Sequence, residues 1–216
     1  MSLRLRAGRL DDLDDIRTVC VRTGDVGRDA TGTLPDVGVL PDLYAEPYLR
    51  LEPDLVTVVE DEAAGRVVGY VLGTADTETF VAAWRARWLP VVAARHPPPV
   101  PDPSGAYEQH VARLHRPEHL LSAWAATHPA HLHVDLLPSA QGRGLGRALI
   151  EQFCVGAARA GATGVHLVVD ARNTAALAFY GRVGFEELGR PRGSVVFGRR
   201  LQHAPTRPLG RCPAGC

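Results

Sequence analysis

The chain has 216 residues, 45% of them hydrophobic, and its 24 basic and 24 acidic side chains cancel. That length supports one substantial core, and a net charge of zero gives no global field to draw in nucleic acid or an anionic membrane. No apolar run approaches the roughly twenty residues needed to cross a bilayer, and no secretory leader opens the sequence, so the expected setting is cytoplasmic.

Leu3 to Arg6 reads as a short first strand. Asp11 and Asp12 then precede an amphipathic helix through Leu13, Ile16, Val19 and Cys20, with carboxylates in its first turn as the helix dipole favours. Thr23 to Gly27 breaks that helix. Arg28 to Pro53 reads as loop, with helical turns around Leu43-Tyr44 and Tyr48-Leu49. Leu55–Asp61 and Arg66–Gly73 flank a turn at Glu62–Gly65 and predict an antiparallel hairpin. Residues 76–130 read as a mostly helical stretch: one helix over Thr79–Ala94, a stiff proline-rich link from Pro97 to Pro103, and a second helical piece through Leu114, Leu120 and Trp124. All three tryptophans fall in it, either as anchors or as the lining of a lid over a pocket. Cys20 and Cys154 read as core thiols, and Cys212 and Cys216 lie in a Pro/Gly-rich flexible tail over 202–216.

The stretch His131–Ile150 carries the chemistry. An alternating strand ends at Pro138, and Gln141-Gly142-Arg143-Gly144-Leu145-Gly146 leads into a helix. Glycines let the backbone turn sharply, and the unpaired N–H groups of a first helical turn point at negative charge. The arrangement suits a pyrophosphate. A P-loop is excluded because the chain has no lysine, and the dinucleotide fingerprint fails at Arg147, where its third glycine belongs. Downstream, Gly164–Asp170 reads as a buried strand, Asn173 as an N-cap, and Thr174–Tyr180 as a helix stopped by Gly184 before an extended piece from Phe185.

The pattern Gln/Arg-x-x-Gly-x-Gly/Ala, followed by strand, Asn-x-x-Ala, Phe-Tyr and Gly-Phe, resembles the GNAT superfamily of acetyl-CoA-dependent N-acetyltransferases. Arg22–Asp25, Asp29–Thr31, Pro47-Tyr48, Gly69–Gly73, Asp76-Thr77 and His131-x-His133-x-Asp135 look like a bacterial subgroup related to the acetyltransferase-like C-terminal domain of O-GlcNAcase. The resemblance implies an α/β (α+β) fold over residues 1–201, a single domain whose mixed, mostly antiparallel sheet is flanked by helices. The 76–130 insertion then lies between strands three and four.

The resemblance implies acetyl-CoA as co-substrate, gripped by Leu136, Leu137, Gln141, Gly142, Arg143, Gly144, Leu145, Gly146 and Arg147, with Asn173 either touching the cofactor or capping its helix. It places Tyr180 to protonate the leaving thiolate. An alkyl ammonium of pKa about 10.4 is only ~0.04 percent free base at neutral pH, so a base helps. His131, His133 and Asp135 share one face of their strand, making Asp135 the first candidate base and His133 the second. Asp25, Asp29 and Asp76 are candidates to hold a cationic acceptor, a small-molecule or peptide amine. A metal reading of His131, His133 and Asp135 is disfavoured, since their steps of about 6–7 Å along one line suit no single ion. No metal, nucleic acid or membrane partner is expected, and the sequence leaves room for a homo-oligomer. The alternative on the same fold is an inactive acyl-CoA-binding or interaction module.

Overall fold

The computed structural model describes residues 2–98 and 101–202. Cys212, Cys216 and nearly all of the expected tail lie outside the described residues, as do 99 and 100 in the proline-rich link.

Seven strands form one sheet in the order β1-β2-β3-β4-β5-β7-β6. They are β1 (Leu3–Ala7), β2 (Thr57–Asp61), β3 (Arg66–Thr74), β4 (Ala130–Leu136), β5 (Gly164–Asp170), β6 (Glu186–Gly189) and β7 (Ser194–Arg200). Every pairing is antiparallel except β4 with β5. That parallel ladder holds only at Ala130 opposite Val165 and His131 opposite His166; beyond it the two strands part. The expected mixed, mostly antiparallel sheet flanked by helices is the one observed.

Two apolar layers cover the sheet. On one face α1 (Leu13–Thr23), α2 (Val39–Tyr44) and α3 (Glu46–Leu51) pack with the insertion helices over Tyr70 and Leu72. On the other, α7 (Leu145–Arg159) lays Leu149, Ile150 and Phe153 against Val59, Val71 and Leu132, and α8 (Thr174–Arg182) joins beside β5. β3 and β4 approach closely because Gly73 has no side chain: a Cβ there would lie 2.2 Å from the His131 carbonyl oxygen.

Three local expectations change. The segment 28–53 contains two real helices, α2 and α3, whose Asp42 and Glu46 are 1% exposed. These carboxylates are paired by Arg17 and Arg95 from distant parts of the chain, and Glu46 also by Arg50 on its own helix. The first insertion helix begins earlier, at α4 (Thr77–Ala83), because Asp76 accepts the Thr79 N–H and caps it. It then widens into a π-turn, Trp84–Trp88, before α5 (Leu89–Val92). The widening falls just ahead of Pro90, which has no N–H to give Ala86. The second insertion helix, α6 (Ala106–His115), stops before Pro117, so Leu120 and Trp124 lie beyond it in a short 3₁₀ segment and a turn.

Trp84 and Trp88 act as anchors. Their ring N–H groups donate to the carbonyls of Leu114 at 3.2 Å and Asp42 at 3.0 Å, and both rings are buried in the core. Cys20 and Cys154 are buried free thiols.

Candidate active site

The parting of β4 and β5 exposes one edge of β4 below the N-terminus of α7. From Gly142 to Arg147 no backbone N–H has a protein partner among the described residues; the first α7 bond is Ala148 N–H to the Gly144 carbonyl, 3.1 Å. Gly142 and Gly144 sit at φ 73° and 76°, the left-handed region that costs other residues about 1 kcal/mol or more. Those two conformations turn successive N–H groups to one side, where a helix of fifteen residues adds its positive end.

The loop is held from beneath by its neighbours. The Gln141 side-chain amide donates to the Leu136 carbonyl at 2.8 Å, and Leu137 N–H donates to Val68 at 2.9 Å. Leu136, Leu137 and Leu145 pack their side chains into the second apolar layer. Gly146 serves helix packing, since a Cβ there would lie 3.1 Å from the Phe179 ring. Arg147 turns its guanidinium onto the Arg182 carbonyl, 2.7 Å away, leaving its backbone N–H to the loop. Arg143 is exposed and forms no ion pair among the described residues. Asn173 caps α8, its Oδ1 accepting from Ala176 N–H at 3.0 Å, while its amide nitrogen lies beside Gly27.

On β4, register sets Asp135 opposite Tyr70 and His133 opposite Leu72, on the α1–α3 face. The Tyr70 hydroxyl donates to Asp135 Oδ2 at 2.8 Å. Desolvation still pushes the Asp135 carboxyl up from 3.8 to about 6, with the Tyr70 bond opposing the rise. Burial lowers His133 to about 4 and His131 well below the ordinary histidine value, so both rings are neutral near pH 7. Tyr180 packs its ring among Phe185 and Phe197 and has no hydrogen-bond partner among the described residues. Burial and the charge of Asp135 hold its phenol up, keeping the proton on the oxygen.

The three remaining carboxylates serve their own loops. Asp25 pairs with Arg28 at 3.1 Å, Asp29 accepts from Thr31 N–H at 2.9 Å and its hydroxyl at 2.6 Å, and Asp76 caps α4. None hydrogen-bonds to Asp135 or His133. His131 spends both ring nitrogens on Tyr48 and Thr77, and among the described residues no three metal-ligating side chains form a site. No helix of the described residues is long and apolar enough to cross a membrane. Sequence reasoning missed Tyr70 and Tyr48. Only the β3–β4 register brings Tyr70 to Asp135, and the insertion between those strands hides it.

A mixed sheet whose parallel pair parts beneath an amide-lined helix N-terminus offers an anion-binding notch at the centre of the sheet. The acetyltransferase (GNAT) family model matches residues 30–185, and the chain belongs to that family. The crystal structure of SsHAT is 48% identical, covers 94% of this chain and 100% of its own, and superposes with a TM-score of 0.90. Two more distant structures share the fold. The phosphinothricin acetyltransferase of Sinorhizobium meliloti, solved in complex with AcCoA, is 15% identical, with coverage of 93% and 89% and a TM-score of 0.52. The PaiA N-acetyltransferase of Thermoplasma acidophilum, solved with coenzyme A, is 12% identical, with coverage of 93% and 99% and a TM-score of 0.56.

Proposed function

We propose that the chain moves the acetyl group of acetyl-CoA directly to a primary amine, as a cytoplasmic enzyme of the O-GlcNAcase-related subgroup. The single observation that carries this is the run of amides from Gly142 to Arg147, without partners among the described residues, above the exposed edge of β4. The amides of Gly142, Arg143, Gly144, Leu145, Gly146 and Arg147 take the pyrophosphate, with Gln141 bracing the loop. Leu136 and Leu137 border the thioester arm, and Asn173 offers its free amide nitrogen.

The ammonium of the acceptor first loses one proton to solvent. The free amine attacks the thioester carbon, its second proton leaves for Asp135, the C–S bond breaks, and the thiolate takes the Tyr180 proton. Asp135 and Tyr180 return to their starting states by exchange with solvent. A base near 6 is mostly ionised at neutral pH and still binds a proton usefully. A thiol of ordinary pKa about 8.5 is a fair leaving group that the phenol can protonate. His133 lies next to Asp135 on the acceptor side, and Asp25, Asp29 and Asp76 add negative charge for a cationic small-molecule or peptide acceptor. The insertion over 76–130 borders that side.

Isothermal titration with coenzyme A and acetyl-CoA tests the cofactor half. A radiolabelled transfer screen over amines, amino sugars and peptides tests the reaction. No heat and no thermal stabilisation refute the reading; binding without transfer leaves an acyl-CoA-binding module.

A further inference from the structure

A line of buried polar side chains runs from the first turn of α4 to the β4 face, and its hydrogens can be placed one at a time. Thr77 Oγ1 lies 2.7 Å from the Pro129 carbonyl oxygen, which only accepts, so the single hydroxyl hydrogen goes there. His131 Nδ1 lies 2.8 Å from the same Oγ1, and with that hydrogen spent the ring must donate. A neutral imidazole has one N–H, so His131 Nε2 is an acceptor and takes the Tyr48 hydroxyl hydrogen at 2.9 Å. The Tyr48 oxygen then accepts from His133 Nε2 at 3.2 Å. His133 is left with a bare Nδ1, which has no protein partner among the described residues and is not buried. The opposite assignment would set Thr77 Oγ1 against the Pro129 oxygen at 2.7 Å with no hydrogen between them.

We propose that Thr77, His131 and Tyr48 are positioning residues that fix His133 in its Nε2–H form, so that its bare Nδ1 receives an N–H of the incoming amine. This rests on the reading of the β4 face as the acceptor side. Beside Asp135, His133 then presents a second hydrogen-bond acceptor and no donor. An ammonium group has the donors to satisfy both, and a carbonyl or ether oxygen has none. The start of the insertion is thereby tied to the proton inventory of the site.

Two-bond proton–nitrogen spectra of histidine-labelled protein read the tautomers without any reaction. At neutral pH His133 should show a bare Nδ1 and a protonated Nε2, and His131 the reverse. Thr77→Val should turn both rings into tautomer mixtures, and Thr77→Ser should restore the single forms. Adding ethylammonium to the coenzyme A complex should shift the His133 Nδ1 signal more than either His131 nitrogen. A proton on Nδ1 of His133 in the native protein, unchanged rings in Thr77→Val, or no response to ethylammonium each overturns the proposal. Should Thr77→Val fail to fold, Tyr48→Phe breaks the same line one step later. Titration of these samples with coenzyme A alone reports on the acetyltransferase reading separately.

Discussion

Tyr70 and Asp135 face each other across the β3–β4 pair, and the 2.8 Å bond between them is the strongest local influence keeping a half-buried carboxylate ionised. A hydroxyl donating to the charged form favours it, so its removal lets desolvation act with less opposition. Tyr70→Phe should therefore raise the Asp135 pKa above about 6. A bond to a charged group contributes ~1.5–3 kcal/mol, so the acidic limb of a pH–rate profile should move up by roughly one pH unit or more. An unmoved limb would show that another group sets it.

Asp135 also has a stability signature. Its folded-state pKa lies above its unfolded value of 3.8, so the folded chain holds the proton more tightly, and stability is lost as pH rises from about 4 to about 6. Above that window the ionised carboxylate costs up to about 3 kcal/mol. Asp135→Asn should accordingly raise Tm near pH 7.5, have little effect near pH 4, and lower turnover. Thermal melts at the two pH values check the sign.

Among the described residues the Tyr180 hydroxyl has no partner, while its ring is anchored by Phe185 and Phe197. Tyr180→Phe should thus leave folding and acetyl-CoA affinity intact and cut kcat by about 10²–10⁴. Equal turnover in the variant would remove the phenol from the mechanism.

A Cβ at Gly142 or Gly144 would meet nothing within 4 Å, so substitutions there act through backbone conformation and not through crowding. Gly144→Ala should cost about 1 kcal/mol and reduce the thermal shift produced by acetyl-CoA. Gly142→Asn should be milder than Gly142→Val, because asparagine tolerates the left-handed region. Matching losses for asparagine and valine would argue against a conformational origin.

Asp42 accepts from Arg17 at 2.5 Å and lies 2.8 Å from His96 Nε2, joining α1, α2 and the insertion through a buried cluster. Asp42→Asn leaves Arg17 and Arg95 with Glu46 alone and weakens the bond to His96, and should destabilise the fold by about 1–3 kcal/mol, read from urea unfolding. The same variant at a solvated carboxylate such as Asp54 should be near neutral.

What the sequence disclosed was local. The alternation at 131–137, the glycines after Pro138 and the Asn173 cap are signals complete within a few residues, and β4, α7, β5 and α8 appear where those signals lie. Partnerships across the chain were silent. Ser194–Arg200 pairs with β5 along its whole length, yet nothing near it announces that pairing, and β7 went unread. Asp42 and Glu46 drew no notice in the sequence because Arg17 and Arg95, which pair with both, lie far away along the chain; only Arg50, on Glu46, is a near neighbour. For the same reason Asp135 and His133 could be placed on one face, but the tyrosines that hydrogen-bond to them could not.

The short ladder between β4 and β5 divides the sheet into a four-stranded and a three-stranded panel, joined by the pairs at residues 130 and 131. A guest in the notch would act as a rung between the panels and stiffen their hinge. Amide exchange along β5 and the outer half of β4 should then slow together when coenzyme A is added, coupling the mechanical unity of the molecule to its cofactor supply.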